Sequence, residues 1–303
     1  IRDIGVTGVQ TCALPISSNP SSYTFTGLSP GTSYTFTVTS INSSGAGGSA
    51  TSASATTLYG FTFTNLGATG ANGPTSLAGY GTSYPGYGTA TPLTLSGGIQ
   101  YWTVITTATY TFTVAGAGSF HTGSNNAIKV GYGAVLTASY SLTAGQVIAI
   151  LVGQQGTANA DGAGGTFVVS LASNTSPLST GVPLFVAGGA AGPGGEANAG
   201  SNDNINASLT TSGRDGKPSP GNTSGTGGTG GNGGGIGTAA NQSWCDSGAG
   251  FSTNGGFFVG GFGGGSAANA PKAFVNGGKG GTNTGSGGFG GGSPGGVYSN
   301  REG

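Results

Sequence analysis

Residues 225–235 read GTGGTGGNGGG, and glycine recurs there with a period of three residues. Three residues per turn is the period of the polyproline II helix, in which the backbone N–H and C=O groups form no bonds within the helix. Glycine carries no side chain to hold neighbouring chains apart. The repeat therefore predicts threefold, polyglycine II-like helices that pack side by side and pair their backbone groups with one another.

The repeat belongs to a glycine-rich tract, which we place at 187–303. More than a third of the residues between 186 and 296 are glycine. We expect Gly228, Gly231 and Gly234, one row of the repeat, to lie where two backbones approach each other. A flexible linker is the alternative for a sequence rich in glycine and serine. The aromatic residues spaced through the tract favour the ordered bundle.

A central β domain precedes the tract, over residues 59–186. It contains eight short runs of β-branched and aromatic residues bounded by Gly, Asn or Pro, without a helical period. Such runs predict an all-β domain with a two-sheet, jelly-roll-like sandwich. The runs cover residues 61–64, 97–104, 108–114, 127–132, 135–142, 146–152, 165–171 and 183–187.

Five ordered motifs resemble the glycine-rich ectodomain of anaplastic lymphoma kinase and leukocyte tyrosine kinase. They read GATGANGPT at 67–75, GIQYWTV at 98–104, ILVGQQG at 150–156, GGTFV at 164–168 and PLFVAGG at 183–189. The resemblance spans residues 61–296 and implies a tumour-necrosis-factor-like β-sandwich with glycine helices and an extracellular binding role. Its structural motif residues here are Gly70, Pro74, Gln100, Trp102, Gly153, Gln154 and Gln155.

The resemblance also implies a disulfide between two cysteines. Leu66 and Gly79 occupy those two positions here, so both cysteines of the pair are missing. No kinase segment is part of this sequence, and receptor signalling is not implied. From the residues themselves, we expect Trp102 and Ile150 to lie in the core. We expect Gln154 and Gln155 to bond backbone groups at a strand end, where buried polar groups need partners.

Within the segment 17–58, residues 21–58 alternate apolar and hydroxyl side chains, which is typical of a strand buried on one face. LSPGTSY at 28–34 resembles the tyrosine corner of fibronectin type III domains, with Tyr34 as the corner tyrosine. We expect strands near 22–26, 33–41 and 50–57. Because such a sandwich has seven strands, the segment predicts the C-terminal half of the domain with an uncovered apolar face.

Residues 1–16 match no element of this pattern. IRDIGVTGVQTCALPI back-translates into the two parts of a short-read sequencing adapter that flank its index. We therefore interpret the segment as an adapter artefact and expect it to have no partner in the fold. A natural leader of unusual composition is the alternative.

Composition excludes several classes of function. Seven basic and seven acidic residues give zero net charge, without the basic stripe of a nucleic-acid-binding protein. The longest aliphatic run, 147–152, is far shorter than the ~20 residues of a membrane helix. Once Cys12 is set aside, Cys245 alone supports neither a disulfide framework nor a thiolate metal site.

Catalytic chemistry finds no support in the sequence. His121 is the only histidine, and we expect it in a solvated loop. The five carboxylates between Asp161 and Asp246 mostly lie in glycine-rich loops rather than as a pair on strands. We predict a protein that is not an enzyme and that has no catalytic, cofactor or metal residues.

The leading hypothesis is an extracellular, cell-surface or virion-surface adhesion module that binds a protein or glycan receptor. We expect no nucleic-acid partner, and homo-oligomerisation stays open. One alternative is a structural fibre or matrix subunit, in which the glycine tract mediates assembly. Another is a carbohydrate-binding accessory of a larger hydrolase.

Overall fold

The computed structural model describes two units, residues 1–62 and 63–303. Each is treated by itself below. The structure describes residues 2–7, 14–16, 25, 33–42, 44–56, 60–86, 88–90, 92–122, 128–157, 161–192, 205–215, 225–236, 246–257, 266–282 and 285–294.

The described strands of the N-terminal unit form an antiparallel sheet with strand order β2-β1-β3-β4, and β5 also pairs with β3. Its strands are β1 (Arg2–Thr7), β2 (Leu14–Ile16), β3 (Ser33–Asn42), β4 (Gly45–Thr51) and β5 (Ala55–Thr56). Tyr34 on β3 is buried, with 8% of its surface exposed, whereas Val38 on the same face is 39% exposed. Phe36 lies between them and contacts the ring of Phe25 at 4.7 Å. The apolar face of β3 is therefore covered at one end and open at the other.

Two expectations for this unit are corrected. β1 pairs with β3 over six register positions, from Arg2↔Ser40 to Thr7↔Thr35, so the prediction that residues 1–16 have no partner is wrong. The strand predicted at 50–57 is two strands, and β4 begins earlier because Gly45–Thr51, despite its low β-propensity, pairs with β3. The predicted strand at 22–26 lies outside the described residues except for Phe25. The adapter origin of residues 1–16 stays a hypothesis.

In the described residues, the C-terminal unit contains nine strands and three short 3-10 turns. The turns are Ala78–Tyr80, Leu178–Thr180 and Phe274–Asn276. The strands are β6 (Thr94–Ser96), β7 (Ile99–Thr103), β8 (Ala108–Ala115), β9 (Ser119–Thr122), β10 (Ile128–Gly131), β11 (Val135–Leu142), β12 (Val147–Leu151), β13 (Thr166–Leu171) and β14 (Val182–Ala187).

Five of these strands form an antiparallel sheet in the order β14-β13-β12-β7-β6. β8 pairs with β11, and β9 pairs with β10. The fold is all-β, as the sequence predicted. Seven of the eight predicted runs contain a strand, and β6 and β9 were not predicted.

The predicted run at 61–64 is not a strand. Its backbone bonds to side chains instead of a neighbouring strand. The Thr64 N–H donates to the Tyr80 hydroxyl at 2.7 Å, and the Thr64 carbonyl accepts from Gln100 Nε2 at 2.9 Å. Phe63 packs against Trp102, with ring centroids 6.3 Å apart. Side-chain anchoring, which a period-two pattern does not reveal, thus replaces strand pairing here.

The five-stranded sheet is apolar on both faces. Trp102, Ile148 and Phe185 pack on one face with Val114 and Leu142 of β8 and β11, so these two strands form the second layer of a sandwich. On the other face, Tyr101, Leu151 and Phe167 pack with Phe274 and Phe289 of the glycine tract. Burial on both faces explains why β12 is a continuous apolar run rather than an alternating one.

Candidate binding surfaces

The glycine-rich segments form a bundle held by backbone hydrogen bonds. Four consecutive N–H groups at 162–165 show its geometry. Gly162 donates to Ser293 O at 2.8 Å and Gly165 to Gly290 O at 2.9 Å, both on the same neighbouring segment. Between them, Ala163 donates to Ala190 O and Gly164 to Gln154 O, each at 2.9 Å. Every third group faces the same neighbour, as a threefold helix requires.

The segments approach so closely that side chains do not fit between them. A β-carbon placed on Gly164 would overlap the carbonyl oxygen of Phe289, and one placed on Gly288 would overlap that of Gln154. At Gly188, by contrast, the nearest atom would be the Ala207 Cβ at 3.7 Å, an ordinary contact. The bundle therefore requires glycine at its inner positions and tolerates larger residues at its surface.

Three of the resemblance motifs meet in this bundle. The Gly70 N–H donates to Gln155 O at 2.9 Å, and the Gly70 carbonyl accepts from Phe289 N at 2.7 Å. Gln154 N donates to Phe289 O at 2.9 Å, and Gly153 N donates to Thr166 Oγ1 at 2.9 Å. Pro74, four residues after Gly70 in the sequence, is also buried. The motifs thus lie at the junction between the sheet and the bundle.

Gln100 and Trp102 lie in the interior of the unit. Gln100 is fully buried, and its Oε1 accepts from the Tyr80 hydroxyl at 2.7 Å. Trp102 belongs to the core and makes an edge contact with Tyr110 at 5.2 Å. Its Nε1 has no hydrogen-bond partner among the described residues. Ile150 is also a core residue.

Gln154 departs from expectation. Its side chain is 1% exposed, yet neither Nε2 nor Oε1 has a partner in the described part of the chain. The prediction that this amide bonds backbone groups is therefore wrong, because the backbone groups around it pair with each other. Gln155 is exposed and contributes its carbonyl oxygen to Gly70. An unpaired buried amide costs about 1–3 kcal/mol.

The predicted row of glycines is only partly regular. Gly228 accepts from Gly213 N at 2.7 Å, and a β-carbon on Gly228 would overlap Asn232 O. Gly234 donates to Gly248 O at 2.9 Å, and its β-carbon would lie 2.8 Å from Thr226 O.

Gly231 is a correction to the predicted row, because it does not lie at a close backbone approach. It has φ +85°, and an added β-carbon would meet nothing nearer than 3.6 Å. The chain turns there, with Asn232 N donating to Thr229 O at 3.0 Å, and the threefold period is interrupted.

Leu66 and Gly79, where the resemblance implies two cysteines, are neighbours in space. A β-carbon placed on Gly79 would lie 4.0 Å from the Leu66 Cβ. Disulfides join β-carbons about 3.5–4.5 Å apart. Leu66 also adopts φ +53°, which is uncommon for a residue with a side chain. The backbone therefore places these two positions at disulfide distance although neither is cysteine.

A group of exposed apolar side chains lies on β9, on β10 and at the residue that follows β10; we call Phe120, Val130 and Tyr132 the aromatic patch. Phe120 and Val130 are cross-strand partners, 42% and 44% exposed, and Tyr132 is 67% exposed. Tyr132 is held by its backbone, with its N–H donating to Asn206 Oδ1 and its carbonyl accepting from Ala207 N, each at 2.8 Å. Its ring is therefore presented to solvent on a fixed backbone.

Ionisable groups are sparse. His121 lies on β9 rather than in a loop, and Cys245 lies outside the described residues. Asp161 is buried, and its Oδ2 accepts from Ser286 N at 3.1 Å. Burial raises the pKa of the Tyr101 phenol above its usual value of 10.0.

The described residues contain no cluster of three or more His, Cys, Asp or Glu side chains that could hold a metal. No helix among them is long and apolar enough to cross a membrane.

Residues 5–57 match the family model of the fibronectin type III domain. The match confirms the resemblance found around Tyr34, and it begins within the segment that we had interpreted as an artefact. No curated protein matches the chain. Fibronectin type III domains are β-sandwich binding modules found mainly in extracellular proteins. The resemblance to the kinase ectodomains stays a hypothesis.

Proposed function

We propose that the chain is part of a non-enzymatic adhesion protein of an extracellular, cell or virion surface, and that it binds a protein or glycan receptor. The fibronectin type III match at residues 5–57 carries the proposal, because domains of this family commonly mediate binding. The second unit supports it with a backbone-paired bundle and an exposed aromatic patch.

The aromatic patch is the surface that we assign to the receptor. Aromatic side chains are enriched at protein interfaces and supply large contact areas at low entropic cost. Sugar rings also stack on exposed aromatic faces. Tyr132 is the most exposed of the three patch residues, at 67%, and its backbone is anchored on both sides.

A cell-binding assay with the full chain tests this proposal. We expect saturable binding to cultured cells that falls at least tenfold in Tyr132→Ala. Ile105→Ala is the matched control, because Ile105 is also exposed, at 53%, and lies outside the patch. Treating the cells with glycosidases or with protease beforehand separates a glycan receptor from a protein receptor.

Two results would overturn the proposal. One is binding no stronger than that of the heat-denatured chain. The other is concentration-dependent assembly into fibres, seen by sedimentation and electron microscopy, without cell binding. The second result would support the structural-subunit alternative.

A further inference from the structure

Four Asn–Gly dipeptides occur in the sequence, at residues 72–73, 232–233, 254–255 and 276–277. In this dipeptide the asparagine side chain reacts readily with the next backbone nitrogen, because glycine has no side chain to hinder the approach. The structure describes all four pairs, and each of the four asparagines is exposed. Neither the sequence nor exposure to water therefore distinguishes one site from another.

Hydrogen bonds of the backbone separate three of the sites from the fourth. At these three, the glycine N–H donates a hydrogen bond. The bonds are Gly233 N to Thr253 Oγ1 at 2.8 Å, Gly255 N to Pro271 O at 3.0 Å and Gly277 N to Phe274 O at 2.9 Å. Asn254 is held by its side chain as well, since its Oδ1 accepts from Ala273 N and Asn276 Nδ2, each at 2.9 Å. A reaction at these sites has to break a hydrogen bond first.

The pair Asn72–Gly73 has no such protection. Within the part of the chain that the structure describes, the Gly73 N–H donates no hydrogen bond, and the Asn72 side chain has no partner either. Asn72 is exposed and Gly73 is half-buried, so water reaches the pair. The amide that would be attacked and the nitrogen that would attack it are thus both unengaged.

We propose that Asn72–Gly73 is a site of spontaneous deamidation. The Gly73 nitrogen loses its proton and bonds to Asn72 Cγ, while the bond from Cγ to the side-chain nitrogen breaks and ammonia leaves with the proton. The product is a five-membered succinimide. Water then opens this ring at one of its two carbonyl carbons and gives isoaspartate or aspartate. Water is the only other reactant.

The isoaspartyl product does not fit the fold. It lengthens the backbone before Gly73 by one carbon, about 1.5 Å. There is no space for that displacement, because a β-carbon on Gly73 would lie 2.6 Å from Gly98 Cα and 2.7 Å from the Phe289 ring. The preceding backbone is held to the glycine tract, where Gly280 N donates to Ala71 O at 2.9 Å. Isoaspartate at this position should therefore loosen the loop from the start of β7 and from the bundle.

Incubation of the folded, full chain at mildly alkaline pH tests the proposal. Digestion with pepsin in acid, followed by mass spectrometry, measures the conversion at each of the four sites. We expect Asn72 to react at least about tenfold faster than the other three asparagines, which corresponds to about 1.4 kcal/mol in the barrier. The chain unfolded in denaturant is the control. There the four sites should react at similar rates, because the bonds that distinguish them are absent.

Two variants test the effect on the fold. Asn72→Ala cannot form the ring, so its thermal unfolding midpoint should stay constant during the incubation while that of the wild-type chain falls. Asn72→Asp adds the charge of the product on an ordinary backbone. When freshly prepared, it should have the midpoint of the fresh wild-type chain.

Three results would overturn the inference. The site is wrong if the folded chain reacts at Asn72 no faster than at the three hydrogen-bonded sites. The loosening is wrong if Asn72→Ala loses stability as fast as the wild-type chain, because the change then arises elsewhere. It is also wrong if fresh Asn72→Asp is as unstable as the aged wild-type chain, because charge and not the added backbone carbon would then be responsible.

Discussion

The two faces of the five-stranded sheet are covered in opposite ways. On one face, aromatic and aliphatic side chains of β8 and β11 fill the space, as in an ordinary sandwich. On the other face, Phe274 and Phe289 contact the sheet, and behind them the chain packs backbone against backbone. One layer is held mainly by apolar burial, and the other mainly by hydrogen bonds between peptide groups.

The two kinds of layer fail for opposite reasons. A side-chain core is damaged when a residue becomes smaller, since a cavity remains. A backbone-packed layer is damaged when a residue becomes larger, since a single methyl group separates donors from acceptors. Glycine also loses the most conformational freedom on folding. Such a bundle therefore depends on nearly complete backbone pairing.

Gly164→Ala should have the largest effect on stability. The added methyl group would overlap Phe289 O and separate the segments that Gly164 joins. Overpacking costs about 1–3 kcal/mol, and each buried group left unpaired adds about 1–3 kcal/mol. We expect the free energy of unfolding to fall by about 2–6 kcal/mol in chemical denaturation.

Gly188→Ala is the control for this substitution. Its methyl group would make only an ordinary contact at 3.7 Å, so we expect a change within about 0.5 kcal/mol. If the two variants were equally stable, the bundle would not be held by close backbone contact, and the contrast between the two layers would be lost.

The sequence predicted the side-chain layer better than the backbone layer. Seven of the eight runs proposed from the strand pattern contain a strand, because burial imposes a pattern on the side chains of a strand. The threefold repeat predicted the bundle but not the turn at Gly231, since glycine is equally compatible with both conformations. Residues 1–16 were misjudged because the segment was interpreted through its back-translation, whereas the chain pairs β1 with β3 over six positions.

The candidate surfaces were predicted still less well. The pairing of Thr111 with Ser139 across β8 and β11 depends on register, and register follows from which strand pairs with which. The sequence placed Thr111 and Ser139 28 residues apart with no sign that they face each other. The aromatic patch could not be predicted for the same reason. Phe120 on β9 faces Val130 on β10, and β9 was not predicted from the sequence.

A disulfide between residues 66 and 79 should have the second largest effect. Leu66→Cys with Gly79→Cys, in a background of Cys12→Ser and Cys245→Ser, places two thiols on β-carbons about 4.0 Å apart. Cross-linking a loop of this length raises the free energy of unfolding by about 3 kcal/mol. The loss of the leucine side chain reduces this gain. We expect a net gain of about 2 kcal/mol, measured as the unfolding midpoint with and without reductant.

The reduced double variant is the control for this gain. Failure to form the bond under oxidising conditions would contradict the proximity of Leu66 and Gly79. It would also remove the structural support for the resemblance to the kinase ectodomains. Formation without stabilisation would show instead that the loop 66–79 is already ordered in the unfolded chain.

Gln154→Met should have the smallest effect, and it should stabilise. Gln154 lies at the junction of the two layers, where its backbone joins the bundle but its side-chain amide is buried without a partner among the described residues. Methionine has a similar length and no polar group to desolvate, so we expect a gain of about 1–2 kcal/mol in the free energy of unfolding. Gln155→Met, at the exposed neighbouring position, should change stability by less than about 0.5 kcal/mol. A loss of stability in Gln154→Met would show that an internal water satisfies the amide. The junction would then be a hydrated seam between the two layers rather than a dry contact.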